Sequence, residues 1–168
     1  MTERHGIGFI GLGSIGQRML AQAWNHPRVK PTVAWDLATE RLAQTVANSA
    51  GLRAAADVNS LINDDSVDVV YIASPPLTHA AYANAALEVG KPVLCEKPLG
   101  IDVATSETLA VRATASGIAH GVNFIFASAH PATQIEQALA RAELGEIKGV
   151  EVQLHLPNWA RRRYAEAP

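Results

Sequence analysis

A chain of 168 residues is long enough for one domain with a full core and short for two, and a net charge of -2 with both signs interspersed excludes a nucleic-acid footprint or a polybasic membrane surface. The opening Met-Thr-Glu-Arg-His is not a basic region leading into an apolar core, and no apolar run reaches the span of a membrane helix. A cytoplasmic protein with small-molecule ligands is expected, and its single cysteine, Cys95, cannot form an internal disulfide.

Residues 7–10 read as a strand that runs directly into Gly11-x-Gly13-x-x-Gly16. In a dinucleotide-binding turn, Gly11 makes the tight exit from the strand, Gly13 lets the backbone approach a pyrophosphate, and Gly16 allows close packing of helix on strand. The helix expected over 14–25 would offer its free amides, with Ser14 and Ile15 in its first turn, to the phosphates; it stops at His26-Pro27. A second strand, 32–35, ends in Asp36, where a ligand for the adenosine ribose belongs. That carboxylate favours NAD over NADP, whose 2'-phosphate it would repel. Arg41 is close in sequence and is expected to point away along the next helix, 38–50, which Gly51 ends.

Residues 52–56 give a short strand, and Asp57 is placed to cap a brief helix through Ile62. The nearly all-apolar run 67–73 suits a central parallel strand covered on both faces; it ends in Ser74-Pro75-Pro76. A helix over 78–89 stops at Gly90, a strand over 92–95 leads into Glu96-Lys97-Pro98, a helix over 103–116 stops at Gly117, and 118–126 forms the sixth strand. This alternation predicts an α/β fold with a doubly wound parallel sheet, the Rossmann arrangement, joined by right-handed crossovers.

Beyond 126 the pattern changes. After a helix over 131–142, Val150, Val152, Leu154 and Leu156 alternate with Glu151, Gln153 and His155, as in a strand with one covered face. The expected division is a dinucleotide-binding domain at 1–126 and, at 127–168, the opening of a truncated α+β second domain. An unpaired strand of this kind favours association, so a homo-oligomer is expected through it. The arginines at 161–163 are expected to be a solvated segment.

Three clusters fall at the carboxyl ends of strands, where such sheets gather ligands: the glycine turn, 74–79 and 96–98. Cys95-Glu96-Lys97-Pro98-Leu99 resembles the EKP motif of the Gfo/Idh/MocA oxidoreductases, and Ser74-Pro75-Pro76-Leu77-Thr78-His79 is similar to their Thr-Pro-x-x-x-His element, with serine in place of threonine. The resemblance implies hydride transfer between a nicotinamide cofactor and a sugar, inositol or related polyol. It places Ser74, Pro75, Pro76, His79, Glu96, Lys97 and Asn123 around the nicotinamide, with Pro98 in the cis form. Lys97 becomes the catalytic residue, its ammonium hydrogen-bonding the reacting hydroxyl; His79 serves equally well as a cap or packing residue. Where many relatives carry an arginine after the asparagine, this chain has Ile125 and Phe126. The family's second-domain aspartate and histidine pair has no match here, His155 included. The alternative is a non-catalytic NAD(P)-binding regulatory or accessory module. No metal ligand set is expected.

Overall fold

The computed structural model describes residues 4–153 and 155. Its contacts divide the chain into two compact units, Met1–Ile125 and Phe126–Pro168.

In the first unit strands and helices alternate: β1 (His5–Ile10), α1 (Ser14–Asn25), β2 (Val29–Trp35), α2 (Thr39–Ala47), β3 (Arg53–Ala54), α3 (Val58–Ile62), β4 (Val69–Ile72), α4 (Pro76–Glu88), β5 (Val93–Glu96), α5 (Val103–Ser116) and β6 (His120–Asn123). Every strand pairing among the described residues is parallel, in the order β3-β2-β1-β4-β5-β6. The expected doubly wound sheet is present. Its order reverses between β1 and β4, and a crevice opens outside the carboxyl ends of strands at such a point.

Two apolar clusters hold the sheet. Ile7 and Phe9 of β1 pack with Leu20 and Ala23 of α1 and Leu42 of α2. Ile10, Val70 and Ile72 pack with Leu61 and Ile62 of α3, Ala80 and Ala83 of α4, and Leu109 of α5. Each fully buried large side chain contributes roughly 1.5–3 kcal/mol. Small residues bring the layers together: a side chain at Gly8 would meet Leu61 Cδ2 at 2.8 Å. Helix ends follow local chemistry. Asp57 accepts from the Ser60 amide at 2.7 Å while Ser60 Oγ accepts from the Asp57 amide, a reciprocal capping box. Asp102 caps α5 through the Thr105 amide, and Gly117 ends that helix in the left-handed region.

The departures from expectation are local. Strand β2 begins at Val29 and passes through Pro31, where its register with β1 slips; proline has no N–H to offer the ladder. Strand β3 is only two residues long, and β6 stops at Asn123, leaving Phe124 and Phe126 exposed.

In the second unit α6 (His130–Ala140) opens with a proline in its first turn and has no buried residue. The expected strand over 150–156 is not formed at 150–153 or at 155, and Val150 and Val152 are each 82% exposed. Alternation supplies a face, whereas a strand also needs a neighbour to receive its backbone bonds. The homo-oligomer expected through this segment has no strand to rest on among the described residues. Leu154, Leu156 and the arginines at 161–163 lie outside the described residues.

Candidate active site

Gly11 turns out of β1 with φ +93, and a Cβ there would lie 2.6 Å from Ala73 C and Ser74 N. Both the left-handed backbone and the contact with the end of β4 require glycine. A Cβ on Gly16 would run into the Gly11 carbonyl oxygen. Gly13 differs, because a side chain there would meet nothing within 4 Å. No side chain caps α1, and the amides of Gly13, Ser14, Ile15 and Gly16 make no hydrogen bond to another described residue. Helix amides in that state suit an anion, and the open side of Gly13 leaves room for a diphosphate to reach them.

Asp36 ends the neighbouring strand and is 6% exposed. Its Oδ2 accepts from the Leu12 amide at 2.6 Å and its Oδ1 from the Ala38 amide at 2.7 Å. The expectation that Arg41 points away does not hold: Arg41 Nη1 lies 3.1 Å from both carboxylate oxygens. Helical side chains lean toward the N-terminus of their helix, and Arg41 in the first turn of α2 therefore leans back onto Asp36, three residues before that helix begins.

In the first turn of α4, Thr78 Oγ1 donates to the Pro75 carbonyl at 2.9 Å and lies 2.7 Å from Ser74 Oγ. Pro75 and Pro76 are exposed and Ser74 is half-buried. His79 is 1% exposed. Its Nδ1 stands 2.7 Å from the Pro98 carbonyl oxygen and its Nε2 2.7 Å from that of Ser74. A neutral imidazole donates one of these bonds, and an imidazolium donates both. Either way the ring's polar atoms engage the backbone, the packing role rather than an outward-facing one. The Lys97-Pro98 peptide is cis, as the resemblance implied. Lys97 itself is exposed and forms no hydrogen bond or ion pair with a described residue.

Glu96 is buried beside it. Its Oε1 accepts from Tyr71 Oη at 2.7 Å and from Asn123 Nδ2 at 2.6 Å, a bridge across β4, β5 and β6. Burial, and then this bond to Glu96, hold the Tyr71 phenol well above its ordinary value. Burial likewise pushes the Cys95 thiol up to about 12, with Glu96 adding to the effect, so this cysteine is an inert core residue. The strand-end clusters are therefore linked, from Asp36 through Leu12 and Gly11 to Ser74, and from Ser74 through His79 to Pro98.

Tyr71, Thr78 and Leu12 were not singled out by sequence. Tyr71 sits in an apolar run and reads as core, while the Leu12 contribution is an amide without a side-chain signature. Among the described residues no three His, Cys, Asp or Glu side chains gather as metal ligands, and no helix is long and apolar enough to cross a membrane.

Residues 5–124 match the Gfo/Idh/MocA model, an oxidoreductase family with an NAD-binding Rossmann fold. An inositol 2-dehydrogenase of Acidothermus cellulolyticus is 39% identical over 120 residues, which cover 71% of this chain and 34% of that protein. An NAD-binding oxidoreductase from Klebsiella pneumoniae has a TM-score of 0.73 at 32% identity, over 85% of this chain and 40% of the other. The scyllo-inositol dehydrogenase of Lactobacillus casei, solved with NAD(H) and scyllo-inositol, has a TM-score of 0.80 at 20% identity over 86% and 43%, a likeness of fold. The chain spans roughly a third of the length of the inositol 2-dehydrogenases it matches.

Proposed function

From the premise that this chain belongs to the Gfo/Idh/MocA oxidoreductase family and carries its NAD-binding Rossmann domain, we propose that it forms the cofactor half of a dehydrogenase acting on a hydroxyl or carbonyl carbon of a sugar, inositol or related polyol. The observation that carries this reading is Lys97, an exposed ammonium without a partner among the described residues, one residue beyond a carboxyl group fixed from two neighbouring strands.

The amides of Gly13, Ser14, Ile15 and Gly16 would hold the pyrophosphate, with Gly11 shaping the turn. Asp36 would receive the adenosine ribose, and Ser74, Pro75, Pro76 and Asn123 would border the nicotinamide. Bound NAD supplies the hydride acceptor, or as NADH the donor. Lys97 Nζ would donate a hydrogen bond to the substrate oxygen, orienting it and favouring movement of its proton. His79 and Glu96 would act from behind, holding the loops that present Lys97. Polyol or sugar as substrate class is supported by the names of the inositol and deoxysugar enzymes among the relatives.

Titration calorimetry of NAD into the chain and into Gly13→Val tests the cofactor half. Saturable binding that the valine abolishes is the expected result, because its branched side chain would fill the open side of the turn. Equal binding by both proteins would remove the glycine turn from the site.

A further inference from the structure

Both donors to Glu96 meet the same oxygen, Tyr71 Oη from β4 at 2.7 Å and Asn123 Nδ2 from β6 at 2.6 Å. Asn123 stands directly opposite Glu96 in the pairing of β5 with β6, and Tyr71 stands opposite Leu94, two residues before Glu96. Residues two apart in a strand share a face, so the phenol reaches the carboxyl along the sheet surface. The ring is held in place: Tyr71 is 0% exposed and meets Phe9 edge-on, with centroids 5.4 Å apart. A phenylalanine would fill the same apolar space. The hydroxyl is the part that packing does not require, and it serves Glu96. Burial, and then the bond to Glu96, hold this phenol well above its ordinary value, which keeps it a donor. On the other side of Lys97, the Pro98 carbonyl oxygen stands 2.7 Å from His79 Nδ1. The Lys97 backbone is therefore fixed before and behind, while its side chain is exposed and has no partner among the described residues.

We propose that Tyr71 is a positioning residue for the reaction: by holding Glu96 it fixes where Lys97 Nζ meets the substrate oxygen. This rests on the function proposed above and deepens it. Tyr71 is fully buried and touches neither substrate nor cofactor, so its effect passes through the end of β5. A long, unpartnered side chain reaches its target only as accurately as its backbone is placed, and reacting groups are held to within about 0.5 Å by packing and hydrogen bonds behind them. Losing the phenol leaves Asn123 as the sole donor to Glu96 Oε1 among the described residues, and the strand end is then held from one neighbouring strand instead of two. A misplacement of about 1 Å costs roughly 10²-fold in rate. The hydroxyl thus acts on turnover through Lys97, which a purely structural tyrosine would not do.

The test is a double-mutant cycle in the dehydrogenase whose cofactor half is this chain: wild type, Tyr71→Phe, Lys97→Met and the double variant, compared by steady-state kinetics at a temperature where all four are folded. Tyr71→Phe is expected to lower kcat about tenfold, part of the cost of a full misplacement, with KM and NAD affinity nearly unchanged. In the Lys97→Met background the same substitution should change kcat no further, because no ammonium is left to misplace. Ile62→Val, a trim in the other apolar cluster, is the control for lost stability and should leave kcat as in wild type. An unmoved kcat in Tyr71→Phe, a change confined to KM, an equal loss in Ile62→Val, or losses that multiply in the double variant overturns the inference while the proposed function stands. A Lys97→Met protein as fast as wild type overturns the role given to Lys97 and the inference with it. Absence of turnover by wild type on sugars and polyols overturns both the proposed function and the inference.

Discussion

The His79 ring stands 2.7 Å from the Pro98 carbonyl oxygen, which ties helix α4 to the loop that carries Lys97. The other ring nitrogen holds the Ser74 carbonyl, so one buried side chain connects two of the three ligand loops. Replacing it with Phe keeps a ring and removes every N–H that the imidazole donates to these two carbonyl oxygens, at about 1–3 kcal/mol for each bond lost. The expected outcome is a lower unfolding free energy in urea titration, by about 1–3 kcal/mol for the one bond a neutral ring donates, with His79→Gln intermediate because its amide can still donate to a carbonyl. Unchanged midpoints for both variants would show that the ring bears no load.

Lys97 presents the opposite case, a side chain with no described partner to lose. In a dehydrogenase whose cofactor half is this chain, as proposed above, Lys97→Met is expected to lower turnover roughly 10²- to 10⁴-fold, the range for a positioned acid or base, while NAD affinity changes little. Steady-state kinetics paired with calorimetry separates the two effects. A non-catalytic binding module would show no turnover to lose, and an enzyme whose rate survives the substitution would carry its chemistry on another group.

Tyr71→Phe removes one of the two donors to Glu96 Oε1 without opening a cavity. A loss of about 1–3 kcal/mol is expected from the widowed carboxyl contact, read as a shift in thermal or urea unfolding. NAD affinity should be nearly unchanged, since Tyr71 is fully buried. A variant as stable as wild type would mean that Asn123 alone suffices to hold Glu96.

The amino-terminal end of the sheet carries a pH response of its own. Hydrogen bonding from the Ser66 hydroxyl, opposed by partial burial and aided by the Ser66 amide and Arg53, lowers the Asp64 carboxyl from 3.8 to about 2. A carboxyl held lower in the folded state contributes stability that is fully present above its unfolded value and is lost as pH falls toward the folded one. The contribution of Asp64 should therefore be intact above about pH 4 and fade between there and about 2. Asp64→Asn should flatten this part of the stability curve, measured by urea midpoints across that window. An identical acid slope in both proteins would assign the response elsewhere.

The parallel sheet was legible because its signals are local. Helix α5 runs over the predicted 103–116, bounded by an aspartate cap and a glycine, and β4 announced itself by a run, 67–73, that is apolar but for Asp68. What sequence concealed depends on partners distant in the chain. Tyr71 meets Glu96 only because β4 and β5 pair in one particular register. Arg41 turns toward Asp36 because of side-chain direction at a helix start, which spacing alone does not convey. The alternation at 150–156 promised a strand, and no neighbour among the described residues makes it one.

The contact between Gly11 and the Ala73–Ser74 backbone also bears on which alleles a genetic screen can recover. At Gly11 and Gly16 any side chain collides with main chain, which cannot swing aside, whereas at Gly13 it enters open space. Lesions at the first two positions remove the fold itself, and their products are lost to aggregation or proteolysis before cofactor is ever tested. A search for well-folded chains that no longer hold dinucleotide should therefore return substitutions at Gly13 repeatedly, and almost none at Gly11 or Gly16.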